Sequence, residues 1–457
     1  MPTLTAEQIA TKFGADAPII GLFGVWYDVG DFVSMHPGGD VIRDYFGSDA
    51  TVVFKVWHSV DGNGRSPLYE WGRWMKAVGK YKVDLHPLDR ELLKFHRRLL
   101  DEGQYETDNL WLLTKMAQTV SIFVVSAFGA RLSVEQQDSY YFARFPFAVL
   151  LAMGWQQCGF LMHDAMHSIL VRDYKTWRMY RYFGVNVNHF VGWIFGSTLF
   201  GVNSNHWRRT HDVHHVLTNT IDDDLHCIVD PQMSEALWMT TSRAFTLSGD
   251  LYRSGMLQPV QDALILQQKW LWLPICVLLG RFGILIESWK DERAAVHLLA
   301  VALHHLIVAP AFYRFVGFEN VVEFALFYFV AAVFQGVLTL QLLVSHYDKP
   351  YETKREHIAM GWLRRQTMAV KDIETAPHFD WFFGGLQFHL IHHALPKLPR
   401  RRYRKWSPVL KRILKKHSNI EVDTVSFAQS ITDTIHHLGT VAEEYGIWRT
   451  LQEFHIE

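Results

Sequence analysis

The chain has 457 residues, long enough for two or three ordinary domains and a sizeable buried core. Aromatic residues make up 14%, with 17 Trp and 25 His, and charged residues only 20% against about 25% in soluble domains, a balance suited to a surface shared between lipid and headgroups. A net charge of -1 gives no ground for nucleic-acid binding, and the scattered Cys158, Cys227 and Cys276 exclude a disulfide scaffold.

The opening MPTLTAEQIATKFGAD lacks a basic stretch followed by an apolar run, so no secretory signal is read and the N-terminus is expected in the cytosol. Residues 1–80 read as a small soluble domain with a strand-like GVWYDVGDF and short turns, and the charged, helical LDRELLKFHRRLLDEGQYETD that follows is assigned to a linker, 81–110. From Trp111 the chain becomes apolar. WLLTKMAQTVSIFVVSAFGA, FPFAVLLAMGWQQCGFLM, HLLAVALHHLIVAPAFYRF and VVEFALFYFVAAVFQGVLTLQLLVSH each approach the roughly 20 residues that cross a hydrocarbon core. Four spans in two pairs would return the chain to its starting side each time, which makes 111–457 an all-α membrane domain with a large cytosolic face. VNHFVGWIFGSTLF and LWLPICVLLGRFGILI are interrupted or flanked by polar residues and are expected to be interfacial or buried in the bundle. The basic KLPRRRYRK and LKRILKK support the cytosolic side, although such stretches also bind anionic headgroups.

The strongest local signal is MHPGGDVIRDYFGSDATVVFKVWH. His36 lies at a Pro-Gly-Gly turn that holds an imidazole on a fixed backbone while letting another group approach, and His58 follows two short helix-like stretches that bring it to the opposite face of a flat cofactor. Two axial imidazoles leave iron no open position, so such a site passes electrons rather than binding substrate. Phe32, Val33, Val53, Phe54 and Trp57 are expected to wall the cofactor or the core. The competing reading is a His36 that merely caps a helix.

Three further histidine clusters follow. LMHDAMHS places His163 and His167 at i and i+4 on one helix face. HWRRTHDVHH contributes His211, His214 and His215, and QFHLIHH contributes His389, His392 and His393, both with HxxHH spacing that turns three rings toward one region. Two identical triads are not what a core filled with ordinary histidines provides. Eight imidazoles exceed the needs of one metal and suit two. Imidazole alone does not select the metal, but a neighbouring electron-transfer domain does, because zinc has no redox chemistry. His304 and His305 lie in a candidate span and are read as packing or helix-to-helix hydrogen bonding. His189 is left without a spacing argument.

HPGG followed by GSDAT, Phe54 and His58 resembles a cytochrome b5 domain, with His36 and His58 at the positions of the haem ligands. HDAMH, HDVHH and HLIHH resemble the three histidine boxes of membrane-bound fatty acyl desaturases, and NHWRRTHDVHHVLTN, GWQQCGFLMHD and DWFFGGLQFHLIHHALPKLPR resemble the front-end group, in which cytochrome b5 is fused at the N-terminus. That resemblance implies a small α+β haem domain joined to an all-α polytopic membrane domain with a cytosolic diiron layer. It implies haem b on His36 and His58, and two non-haem irons on His163, His167, His211, His214, His215, His389, His392 and His393, with His346 as the ninth ligand. It implies no catalytic residue beyond those ligands, O2 as cosubstrate, an NADH-cytochrome b5 reductase as partner, and an acyl lipid or acyl-CoA substrate at the endoplasmic reticulum membrane. The reaction expected is a cis double bond placed between the carboxyl end and an existing double bond of a C18 to C20 chain, near carbon 5, 6 or 8. Sphingolipid long-chain-base desaturation and histidine-box hydroxylation are the enzyme alternatives, and a membrane-tethered electron carrier is the non-enzyme one. Two departures stand out: His389 where the front-end group has Gln, and IDDDLHCIVD, which is acidic where that group has an acidic, proline-containing stretch after the second box but is spaced differently; His206 stands where the group usually has Trp. Asp222, Asp223 and Asp224 are expected either to orient ligand rings or to form a solvated turn. Gly154, Gln156, Gln157, Trp193, Gly385 and Phe388 are candidates for lining an acyl tunnel.

Overall fold

The computed structural model describes residues 1–14, 16–36, 38–58, 72–136, 141–173, 175, 178–224, 227–234, 238–243, 258–289 and 295–453. Pro37 of the HPGG turn, and Leu225 and His226 of the acidic stretch, lie outside them. A capping box between Thr5 and Gln8 starts helix α1, Ala6–Phe13. Strands β1, Ile19–Leu22, and β2, Val25–Asp28, are joined through Phe23 and Gly24, whose φ values of 54° and 86° make the two-residue hairpin that right-twisted strands favour. β2 coincides with the expected strand and pairs on its other side with β3, Lys76–Lys80, giving an antiparallel sheet ordered β1-β2-β3. Helices α2, Gly30–Val33, and α3, Thr51–Trp57, close a core of Ile20, Leu22, Val29, Phe32 and Tyr45. Val216 and Leu217, from far along the chain, belong to that same core, so the small domain packs directly onto the histidine-bearing part.

The stretch expected to be a linker carries helix α4, Pro87–Asp101. Apart from the buried Asp89, which accepts from the Trp362 and Leu363 backbones, its carboxylates and its Lys and Arg residues lie toward solvent, and Leu88, Leu92, Phe95 and Leu99 repeat at helical spacing and are buried with Leu390, Ile391, Tyr403 and Trp406. It is a supporting wall of the third histidine cluster.

Among the described residues, five helices are long and apolar enough to cross a membrane, where four were expected. Helices α5, Asn109–Glu135, and α6, Phe145–Met166, pack antiparallel, with Gly129 against Phe147 and Gly154 against Phe123. Helix α7, Val187–Gly192, continues as a π-helical stretch to Phe200 that packs along α6, and α8, Ser204–Val216, carries the second cluster. The extra long helix is α9, Gln258–Glu287, followed by α10, Ala295–Val316, and α11, Val321–Leu343. Arg281 made the LWLPICVLLGRFGILI segment look interrupted. In the fold its guanidinium lies 4.3 Å from the Trp155 ring and donates to the Phe200 carbonyl at 2.7 Å, which supplies partners to a cation removed from water. Helix α9 runs antiparallel to α11, and the two approach closely at Gly336, where a Cβ would stand 2.2 Å from the Val277 carbonyl oxygen.

Short helices α12, Trp362–Ala369, and α13, His389–Ala394, precede α14, Tyr403–Ser418, and the terminal α15, Phe427–Glu453. The C-terminal ends of α6 and α11 lead into His163, His167 and His346, and α8 and α13 meet them there. All nine histidines of the proposed metal layer therefore lie at one end of the helical bundle.

Candidate metal centre and haem site

Helical periodicity turns the rings of α6, α8 and α13 inward, and their burial removes them from water. The imidazole nitrogens of His163, His167, His211 and His392 lie within 4.8 Å of one another, as do those of His214, His346 and His393, and those of His215, His392 and His393. Each HxxHH triad contributes to more than one group: His211 lies in the first and His214 in the second, while His392 and His393 meet again in the third with His215, so the groups join into one layer. His389 joins the second group, its Nε2 2.7 Å from that of His346.

The outward nitrogens explain the orientation. His214 Nδ1 lies 2.8 Å from Asp230 Oδ2, His346 Nδ1 2.9 Å from the Ala369 carbonyl, His389 Nδ1 3.1 Å from the Leu386 carbonyl and His393 Nδ1 3.1 Å from Gln366 Oε1. His211 Nδ1 lies 3.2 Å from Gln232 Oε1, and His392 Nδ1 3.2 Å from the Tyr403 hydroxyl. A ring whose Nδ1 proton is donated outward presents an Nε2 lone pair inward. Four Nε2 pairs then face each other: His163 with His392 at 3.1 Å, His211 with His215 at 3.1 Å, His214 with His346 at 3.3 Å, and His346 with His389 at 2.7 Å. Ligands held about 2.1 Å from one metal stand about 3 Å apart, so these separations suit a shared cation. The donor set therefore fits metal ions.

Desolvation pushes the pKa of His211, His215, His392 and His393 well below the ordinary value, and that of His389 down to about 3, each reinforced by neighbouring rings. Neutral imidazole is the form a metal requires.

Of the two roles left open for the acidic run, the contacts of its residues favour the turn. Asp222 accepts from the Cys227 backbone and Asp223 from that of Arg355, and Asp224 is exposed; none bonds a cluster histidine among the described residues. The supporting carboxylates are instead Asp230, which also accepts from the Asn219 and Gln232 backbones, and Asp164, which bridges His163 and Arg400. Asp164 stands inside the first box and was open to recognition. Asp230, Gln366 and Tyr403 come from distant positions and carry no spacing signal. Trp207, stacked 4.1 Å from His211, was also missed.

His304 Nδ1 meets the Thr198 carbonyl at 3.1 Å, joining two helices, and neither His305 nor His189 enters a metal-competent group among the described residues. His206 begins the buried N-terminal turn of α8, its backbone capped by Asn203. The suggested tunnel residues are divided. Gln156 accepts from Gln335, Gln157 donates to the Trp381 carbonyl, and Trp193 packs 5.5 Å from His297. Gly154 and Gly385 serve close packing against Phe123 and Arg400, and Phe388 lies beneath Arg404.

In the small domain, the His36 and His58 ring centres are 6.1 Å apart. Their Nδ1 atoms meet the Gly39 and Phe54 carbonyls at 3.0 and 3.2 Å, again leaving Nε2 for another partner. Metal–nitrogen bonds of about 2 Å on both faces of one iron put ring centres about 6 Å apart. The residues present fit a haem held between two imidazoles. Phe54 stacks on His58 at 4.6 Å and Phe32 meets His36 edge-on at 5.8 Å, while Val33, Val53 and Trp57 pack in the adjoining core.

The fatty acid desaturase family model matches residues 141–423, and that of the cytochrome b5-like heme/steroid binding domain matches residues 5–94. The Delta(8)-fatty-acid desaturase 2 of Arabidopsis thaliana is 28% identical, across 93% of this chain and 89% of its own length. The acyl-lipid (9-3)-desaturase of Borago officinalis is 25% identical across 93% and 90%, and the Delta(8)-fatty-acid desaturase of Euglena gracilis 27% across 85% and 87%. With the family matched over more than half of its length, five candidate spans, and histidine groups fit for iron beside a haem-type domain, the chain belongs to the fatty acid desaturase family, as a multi-pass membrane oxidoreductase with its cytochrome b5 electron donor fused at the N-terminus.

Proposed function

We propose that the chain inserts a cis double bond into a C18 to C20 polyunsaturated acyl chain, on the carboxyl side of an existing double bond, at carbon 5, 6 or 8. The recurrence of Delta(8) desaturases among the relatives supports carbon 8. The observation that carries the reading is the opposed set of inward Nε2 atoms directly beside the two-histidine small domain.

Residues 1–80 form the haem domain, 81–110 connect it, and 111–457 form the membrane domain. His36 and His58 hold haem b. His163, His167, His211, His214, His215, His346, His389, His392 and His393 hold two irons. When bound, the irons activate oxygen and the haem supplies single electrons, chemistry that zinc does not offer. The histidines hold and tune the metals, their outward acceptors fix ring orientation, and burial keeps bulk water away. An NADH-cytochrome b5 reductase supplies two electrons per turnover. With two protons and two hydrogens from the substrate, they convert one oxygen molecule to two waters. Endoplasmic reticulum residence, with the haem domain and histidine layer cytosolic, follows from that partner.

Expression in a yeast lacking polyunsaturated lipids, fed C18 and C20 acids singly, tests this, with His392→Ala as the inactive control. A new bond on the carboxyl side of an existing one, located by mass spectrometry, is expected. An unsaturated long-chain base with an unchanged acyl profile would move the activity to sphingolipids, and a hydroxylated product alone would reject desaturation.

A further inference from the structure

Trp57 is the residue immediately before His58, and its ring reaches out of the small domain. The indole centre is 5.9 Å from the His167 ring and 5.7 Å from the His215 ring. It packs against both the small-domain core and the core that carries Leu390 and Ile391 of the third histidine box. Its Nε1 is buried and makes no hydrogen bond among the described residues, so no polar partner accounts for its placement. Lys397 Nζ stands 5.2 Å over the same ring and donates to the His167 carbonyl at 2.7 Å, tying the indole to the wall of the metal site.

We propose that Trp57 is the bridge through which electrons pass from the haem to the metal centre, an inference that rests on the ligand assignments made above. From His58 the path runs through the covalent backbone into Trp57, and a single through-space step then reaches His167 or His215. An aromatic ring suits that step because its delocalised orbitals extend across the gap, whereas a saturated side chain of equal volume would fill the space without them. One electron leaves the reduced haem, which returns to its oxidised state, and one metal ion is reduced by one unit. Trp57 begins and ends neutral, and no proton moves with it. The Lys397 charge over the ring disfavours loss of an electron from the indole, so the bridge carries the electron without being oxidised itself. The competing explanation is a tryptophan that only fills the domain interface, and the two separate experimentally.

The test uses the full-length protein loaded with haem and iron. Its haem is reduced anaerobically with substoichiometric dithionite, and its absorbance is followed as the electron leaves. Haem per chain, iron per chain and the haem midpoint potential are measured on the same samples. Trp57→Phe is expected to keep the rate close to that of the parent. Trp57→Leu and Trp57→Met are expected to slow it by about tenfold, equivalent to about 1.4 kcal/mol on the transfer barrier, with cofactor content and potential unchanged. Equal rates in all variants would overturn the proposal, as would slowing that appears only with loss of haem or iron or with a displaced potential. A parent protein without a two-imidazole haem spectrum or without bound iron would instead defeat the ligand assignments, before any variant is compared.

Discussion

Asp230 shows what single residues contribute that motif spacing does not. It is fully buried, and its carboxylate accepts from His214 Nδ1 and from the Asn219 and Gln232 backbones. That geometry fixes the His214 tautomer and aims its other nitrogen at the second histidine group. Asp230→Asn keeps the shape and an accepting oxygen but removes the charge. It is expected to lower metal affinity on the His214 side by about 10- to 100-fold, the usual effect of disturbing a ligand's outer partner. Metal titration of the purified variant, read by bound iron per chain, checks this, and unchanged binding would leave Asp230 a folding residue only. The ligand histidines themselves were legible because helix periodicity converts HxxHH into one face. Their partners were not, because Gln366, Ala369 and Tyr403 reach the site only through tertiary folding.

Helix α9 is the element least legible in the sequence, and the buried face of α4 is the next. Hydropathy located α5, α6, α10 and α11 because their runs are long and nearly free of charge. It undervalued α9 because a sequence cannot show that Arg281 has Trp155 and the Phe200 carbonyl for partners. In α4 the charges drew attention from a regular apolar stripe, Leu88, Leu92, Phe95 and Leu99, that periodicity does contain. The α9–α11 contact carries its own prediction. At Gly336 an added methyl would meet the Val277 and Cys276 carbonyl oxygens at 2.2 and 2.6 Å, and backbone cannot rotate aside as a side chain can. Gly336→Ala must therefore part the helices, at a cost of about 1–3 kcal/mol. Trp272 of α9 packs 6.2 Å from Tyr347, the neighbour of His346, so the displacement also reaches the metal layer. A lower melting temperature in detergent is expected for Gly336→Ala. Gly283→Ala in the same helix pair, where a methyl enters open space, should match the parent or exceed it slightly. Equal melting of the two variants would show that the helices do not meet at Gly336.

Across the whole molecule, buried neutral imidazoles from several elements make one electrostatic unit, and its behaviour in acid follows from the sign of the shifts. Desolvation pushes His211, His215, His346, His392 and His393 well below the ordinary histidine value, and His58 and His389 to about 3. In the unfolded chain the same groups take up protons near pH 6.5, so below that pH the unfolded state binds more protons than the folded one. Their contribution is fully present above about pH 6.5 and is lost as the pH falls, at up to about 1.4 kcal/mol per pH unit for each histidine. Burial raises Asp89, Asp212 and Asp372, whose contribution is present in acid and lost as the pH rises, but these three are outnumbered by the histidines. The metal-depleted protein is therefore expected to melt at progressively lower temperature at pH 8, 6.5 and 5.5, followed by tryptophan fluorescence in detergent. Metal at saturating concentration binds only the folded site and should raise all three melting temperatures by similar amounts, because the folded imidazoles stay neutral across that range. A metal-free melting temperature that stays level down to pH 5.5 would mean that the layer opens to water and protonates without unfolding, and the burial that makes it a competent iron site would then be absent from the apoprotein.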